Sequence, residues 1–306
     1  MPAPEPTPLP GGPTHVFAGT YTAIVTPFRD DKVDEKALLA LIERQVAGGV
    51  DGVIPVGTTG ESPTLTHDEH MRVIELTIQA AAGRVKVIAG TGSNSTREAI
   101  AMTVAAAGMG ADGALLVAPY YNKPSQPGLV AHFSAIANAA PNLPIVLYSI
   151  PGRCGIEIGI DTTATLAAAH KNIVGIKEAG GSVDRVSQLR QALPESFTIL
   201  SGDDSLTLPF MAVGAVGVIS VATNLIPAEV SKMVEYARHG NEIEAERIHR
   251  RLYPLFRDLF IEPNPVPIKT AMARRGWMTE EVRLPLVGMQ PAKRAQLEQT
   301  LVSLSL

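Results

Sequence analysis

The stretch Asn172-Ile173-Val174-Gly175-Ile176-Lys177-Glu178-Ala179 is a short apolar run that ends on a lysine. Its β-branched residues and lack of alternation predict a strand covered on both faces. Such a strand has no ordinary use for an ammonium group, since burying an unpaired charge costs on the order of several kcal/mol. At the carboxyl tip of the strand, facing a cavity, the same lysine has a use. Desolvation favours its neutral amine, a nucleophile that forms a Schiff base with a ketone. The competing reading is a side chain that merely snorkels out of the strand end. The rest of the chain decides between the two.

Runs of the same kind recur from Gly19 onward, at residues 22–26, 52–56, 85–89, 114–118, 145–149, 173–177, 198–201 and 217–221. Segments of helical period lie between them, among them 35–47, 67–82, 96–108 and 162–170. Thr66-His67-Asp68-Glu69 predicts a capping box, and Asp161 and Ser182 predict N-caps. Eight strand–helix units in this length predict an α/β fold, a (β/α)8 TIM barrel. The rival is a doubly wound sheet. It calls for a glycine-rich dinucleotide turn, and Gly90-Thr91-Gly92 lacks the third glycine. Beyond about residue 226 the pattern is helical only, broken by Glu262-Pro263-Asn264-Pro265-Val266-Pro267. The expected organisation is a Pro-rich tail at 1–17, a barrel at 18–239 and a small all-helical C-terminal domain at 240–306.

The 306 residues are 45% hydrophobic with a net charge of −4, which supports a sizeable core and gives no sign of nucleic-acid or anionic-membrane binding. Cys154 is the only cysteine, so no intrachain disulfide forms, as suits a reducing, cytoplasmic setting. The alternating prolines of the N-terminal tail favour an extended conformation, and the tail has neither the basic region nor the apolar run of a signal peptide. No apolar run approaches the roughly 20 residues of a membrane span.

In barrels of this kind the chemistry lies at the carboxyl ends of the strands. Gly57-Thr58-Thr59-Gly60-Glu61 follows the second run and Pro119-Tyr120-Tyr121-Asn122 the fourth. Tyr148 lies near the end of the fifth, with Pro151-Gly152-Arg153 behind it, and Gly202-Asp203-Asp204 follows the seventh. Gly57 and Gly60 permit a tight loop whose N–H groups face an anion, and the threonine hydroxyls suit a small carboxylate. Read alone, the loop is equally an ordinary turn. Tyr148 is placed to pass protons to and from a carbinolamine on Lys177, or is a core tyrosine with its hydroxyl at the edge. Arg153 is a carboxylate clamp or a solvated surface arginine. Asp203 and Asp204 disfavour a phosphate dianion and read best as caps of the following helix. His67 and His70 have the spacing of a metal-ligand pair but no third ligand, so no metal is expected. Cys154 reads as a packing residue.

Taken together, Gly57-Thr58-Thr59-Gly60-Glu61-Ser62, Pro119-Tyr120-Tyr121-Asn122 and Ile176-Lys177-Glu178-Ala179 resemble the dihydrodipicolinate synthase branch of the pyruvate-dependent class I aldolases, the family that includes N-acetylneuraminate lyase. The resemblance runs from about Gly19 to the C-terminus. It implies condensation of pyruvate with L-aspartate 4-semialdehyde, with no cofactor. Lys177 would form the pyruvate imine, and Tyr148, Thr59 and Tyr121 would relay protons. Tyr121 would come from a neighbouring copy in a homo-oligomer, a dimer or a tetramer built of two dimers. Thr58 and Thr59 would hold the pyruvate carboxylate, Arg153 would receive the semialdehyde carboxylate, and Gly202 and Ile219 would line the site. Ser62, His67, His70, Asn94, Glu98 and Tyr120 match the positions where lysine-inhibited members bind L-lysine. Ser149, Cys154 and Gly180 depart from the residues common at those positions, and none replaces a proposed catalytic group. Two other functions compete: an aldolase acting on a sugar acid or hydroxy-oxo acid, and a non-catalytic lysine or pyruvate sensor. A sensor has no need of a proton relay, and fold alone does not choose among the three.

Overall fold

The computed structural model describes residues 14–306. Its centre is a closed, all-parallel barrel of eight strands. We number them β1 (Gly19–Ala23), β2 (Gly52–Ile54), β3 (Lys86–Gly90), β4 (Gly113–Val117), β5 (Ile145–Ser149), β6 (Ile173–Glu178), β7 (Thr198–Ser201) and β8 (Gly217–Ser220). Each strand pairs with the next, and β8 pairs back onto β1, with Gly19 opposite Gly217 and Tyr21 opposite Gly52. Helices cross between successive strands and cover the outside, which is why the strand sequences are apolar throughout.

The inward residues make a compact plug that includes Tyr21, Ile54, Ile88, Leu115, Val146, Tyr148, Leu200 and Ile219. The outward residues pack beneath the helices, where Leu38, Ile42, Phe133 and Leu166 are fully buried. Several helices start where the sequence placed them. The Thr66–Glu69 capping box is complete, and the Ser182 side chain accepts from the Arg185 N–H. Asp161 is not an N-cap: it sits in the first turn of Ile160–Ala169, and Gly159 occupies the cap.

Two expectations are corrected at the start of the barrel. The first strand is Gly19–Ala23 rather than 22–26. The apolar character continues past the strand because Val25 is also buried, its N–H held by the Asn224 side chain at 3.1 Å. Residues 1–13 of the expected tail lie outside the described residues. His15 to Phe17 do not behave as tail. Phe17 is 1% exposed, meets the Tyr21 ring edge-on at 6.0 Å, and accepts a hydrogen bond from Thr198 at its carbonyl. It stoppers the amino-terminal end of the barrel, so its aromatic surface belongs to the core.

After β8 the chain runs through helices Pro227–Arg238, Glu242–Asp258, Val266–Arg274 and Pro291–Ser303. Ile248, Leu252, Phe256, Met272, Leu297 and Leu301 join one hydrophobic cluster with barrel-side residues such as Ile24, Leu41 and Ile74. We propose the division near residue 240 as a change of topology only, since the core runs across it.

Candidate active site

Side chains alternate at the end of β6. Glu178 turns outward to the buried Arg185, which donates to it through Nε at 2.8 Å and also to the Ile158 carbonyl. Burial pushes the Glu178 carboxyl up, against the pull of Arg185. Lys177 turns the other way, into the barrel, and is only 6% exposed. Its Nζ rests 4.1 Å from the centre of the Tyr148 ring, and the two residues are register partners across β5 and β6. The aromatic face is a weak partner for a cation and leaves the amine free for chemistry. Among the described residues no carboxylate lies in ionic contact with Lys177.

Gly202 explains why the lysine stem fits. A Cβ at this position would lie 3.0 Å from Lys177 Cε and 2.6 Å from the Ala179 Cβ. Ile219 is fully buried on β8 beneath the site.

On the Tyr148 side lies a cavity of about 250 Å³, lined by Val56, Gly57, Thr58, Leu115, Tyr148, Arg153 and Cys154 among others, with Lys177, Thr59 and Gly202 set behind its wall. Its floor is apolar, and its polar groups are those that the sequence singled out. The loop Gly57–Glu61 is wound tightly. The N–H groups of Gly60, Glu61 and Ser62 return to the carbonyls of Gly57 and Thr58. Those of Thr58 and Thr59 make no hydrogen bond among the described residues, which leaves two donors for an anion. The winding is strained at both ends: Val56 has φ +51° and Glu61 +55°, unusual for residues with a Cβ and extreme for a β-branched one. Gly60 relieves it, because a Cβ there would meet the Val56 backbone at 2.9 Å.

Thr59 is buried, and its Oγ1 accepts from the Asn264 side-chain Nδ2 at 2.9 Å. The Asn264 carbonyl accepts from Arg153 Nη2 at 3.3 Å. Arg153 is exposed at the cavity mouth. Burial pushes the Cys154 thiol up to about 11, so it stays protonated at neutral pH and acts as a packing residue. The site thus brings Lys177, Tyr148, Thr58, Thr59, Arg153 and Gly202 to one rim. Tyr121 stands apart, with φ +72° and 90% of its surface exposed.

A smaller cavity of about 120 Å³ shares Ser62, Pro63, Gly92 and Tyr120 with the first and adds His67, His70 and Glu98. His67 Nε2 contacts Glu98 at 2.6 Å. His70 Nε2 donates to the Gly90 carbonyl at 2.8 Å, and burial lowers its pKa. Asn94 borders this cavity, donating to the Tyr120 carbonyl at 3.2 Å. No metal-binding cluster occurs among the described residues.

Sequence reading assigned no role to three residues that support the catalytic rim, Asn264, Lys269 and Arg283. The Glu61 carboxylate is buried in ionic contact with the buried Lys269 ammonium, without hydrogen-bond alignment. Burial pulls Lys269 down to about 8, opposed by Glu61, so it remains charged at neutral pH. Glu61 Oε2 also accepts the Arg283 N–H at 3.1 Å, and the Arg283 guanidinium grips Glu69 at 2.6 and 2.7 Å. With Asn264, these contacts staple the loop from residue 59 to 69 to the C-terminal segment. The proline-broken stretch 262–267 was the only local signal. Asp204 is corrected as well. It does not cap the helix that follows but accepts from Ser220 Oγ and from the Val221 and Ala222 N–H groups after β8. Burial raises it to about 6.

Fold and rim together define a (β/α)8 enzyme barrel with a primary amine at the carboxyl ends of its strands. The family can then be fixed. The model of the dihydrodipicolinate synthetase family matches residues 16–304, and the chain belongs to that family. A curated relative from Aquifex aeolicus, named 4-hydroxy-tetrahydrodipicolinate synthase, is 50% identical over 94% of this chain and 97% of its own. Among solved structures, the 4-hydroxy-tetrahydrodipicolinate synthase of Methylacidiphilum fumariolicum SolV superposes with a TM-score of 0.93 at 57% identity, covering 94% of this chain and 96% of that one. A synthase of the same family from Cyanidioschyzon merolae, solved with lysine bound, gives 0.93 at 44% identity over 95% and 99%.

Proposed function

We infer that this chain catalyses the 4-hydroxy-tetrahydrodipicolinate synthase reaction, a lyase-type condensation of pyruvate with L-aspartate 4-semialdehyde on the diaminopimelate route to lysine. The observation that carries this reading is Lys177, buried at a strand end against Tyr148 in a chain half identical over nearly its whole length to a relative of that name. The Lys177 amine adds to the pyruvate ketone, and loss of water gives an imine. The imine draws electrons from the neighbouring methyl group, which loses a proton to become an enamine. The enamine carbon attacks the aldehyde. The amino group of the semialdehyde then displaces Lys177 from the former ketone carbon, closing the ring and freeing the enzyme.

We assign the free N–H groups of Thr58 and Thr59 and the Thr58 hydroxyl to the pyruvate carboxylate, and Arg153 at the mouth to that of the semialdehyde. Gly202 and Ile219 give the lysine and substrate their room. Tyr148, Thr59 and Tyr121 carry the protons. The exposure of Tyr121 supports its service to a neighbouring copy, so we propose a homo-oligomer, with the dimer as the minimum. The cavity of Ser62, His67, His70, Glu98 and Tyr120, with Asn94 beside it, is our proposed site for inhibitory L-lysine. Glu98 would receive the ammonium, and a relative solved with lysine bound supports lysine as the ligand to test. Activity unchanged by millimolar lysine would dispose of that assignment.

Incubation with pyruvate and borohydride, followed by intact mass and peptide mapping, tests the central claim. A reduced adduct on Lys177 and turnover with the semialdehyde are expected. A folded protein that traps nothing would overturn the mechanism.

A further inference from the structure

We propose that Asn264 is a positioning residue that sets the direction of the Thr59 hydroxyl. The proposal rests on the relay assigned to Thr59 above. Asn264 lies in the C-terminal segment, 205 positions from Thr59, and is 5% exposed. Its Nδ2 donates to Thr59 Oγ1 at 2.9 Å, and its backbone carbonyl takes an N–H from Arg153. One residue therefore touches both groups assigned to hold the two substrates.

The direction of the bond matters. A hydroxyl has one proton to give and lone pairs to accept with. The Asn264 amide occupies a lone pair, so the Thr59 proton points elsewhere. No acceptor for it occurs among the described protein groups. Thr59 and Tyr148 share no hydrogen bond, so the proton is left for a substrate oxygen. The other end of the amide, Oδ1, is buried without a partner. Were that oxygen turned to Thr59, it would take the hydroxyl proton and withdraw Thr59 from the relay. Asn264 thus keeps Thr59 a donor towards the reacting centre, and it holds Arg153 at a fixed distance from the same point.

The test reads the proton step without the acceptor aldehyde. Incorporation of deuterium from D2O into the pyruvate methyl group is followed by NMR in the full-length protein. Borohydride trapping on Lys177 is run in parallel. Asn264→Ala is expected to trap the adduct normally but to exchange about tenfold more slowly, the effect of losing one hydrogen bond to a reacting group. In a Thr59→Ala background, itself slow, Asn264→Ala is expected to add nothing. Asn264→Asp keeps the shape but offers an acceptor when ionised. Its exchange relative to wild type should be lower still at pH 8 and recover as the carboxyl is protonated and becomes a donor.

Wild-type exchange in Asn264→Ala, an undiminished loss in the Thr59→Ala background, or a pH-independent ratio in Asn264→Asp would each overturn the proposal. Wild-type exchange in Thr59→Ala would overturn the relay reading beneath it. If Asn264→Ala does not fold, the near-isosteric Asn264→Asp carries the test through its pH profile.

Discussion

Replacing Lys269 by methionine keeps most of the side-chain stem and removes only the ammonium. In the native protein that ammonium contacts the Glu61 carboxylate, donates to the Glu281 carbonyl at 2.9 Å and stands 4.2 Å from the centre of the Phe28 ring. Both side chains of the pair are essentially inaccessible to water. The variant leaves a buried carboxylate whose remaining partner is the Arg283 N–H. Orphaning one member of a buried pair costs roughly 3–5 kcal/mol. For a chain of this size that corresponds to a fall in Tm on the order of 10 °C. Calorimetry or a urea melt reads it directly. The double variant Glu61→Gln/Lys269→Met should recover most of the loss, because no charge is then stranded. Glu61 lies two residues from Thr59 in a left-handed conformation, so the single variant should also weaken pyruvate binding. A Lys269→Met protein as stable as wild type, or a double variant whose losses simply add, would refute the claim that Lys269 neutralises Glu61.

Tyr121→Phe should leave Tm little changed, since only a hydroxyl is removed, yet lower kcat by about a hundredfold to ten-thousandfold, the range for a lost proton donor. Mixing it with Lys177→Ala should restore part of the activity, and a mixture no better than its components would rule out a shared site. Gly202→Ala forces a Cβ against Lys177 Cε and should abolish trapping of the pyruvate adduct while costing about 1–3 kcal/mol of stability. Normal trapping would mean that the lysine has room to move. The Arg283 guanidinium holds Glu69 at about 2, below its ordinary value of 4.5. The stabilisation is therefore complete above 4.5 and lost as the pH falls from there towards 2. The Tm gap between wild type and Glu69→Gln should be present at pH 7 and shrink through that window, and a gap independent of pH would contradict the pairing.

The barrel was legible because its strands announce themselves locally. Residues 145–149 and 198–201 were bounded correctly, as apolar runs between turn residues must be in a sheet covered on both faces. Lys177 was legible because a charge at the end of such a run is out of place. Thr58 and Thr59 needed their glycine frame, and Arg153 needed the resemblance to separate it from a surface arginine. The rest was hidden for one physical reason. Asn264, Lys269 and Arg283 look like ordinary polar residues of a helical tail until folding carries them some two hundred positions back along the chain. Asp204 was misread for a similar reason. Its ligands are the N–H groups beyond β8, 17 and 18 residues away, and not those of its own neighbours. Phe17 fell to composition: a lone aromatic behind a run of prolines gives no hint that it closes a barrel.

The C-terminal staple also has a bearing on how the molecule is made. Synthesis runs from the N-terminus, and the last barrel strand ends at Ser220. Arg283 emerges 222 residues after Glu61, a delay on the order of tens of seconds at ordinary rates of translation. The last strand is complete only after Ser220, and even then Glu61 waits for its counter-charge and Thr59 for its amide. The rim is therefore the last part to mature. A message truncated anywhere between the end of β8 and residue 283 would yield a chain lacking both part of the shared core and the Arg283 contact to Glu61, which ties competence to completion of the polypeptide.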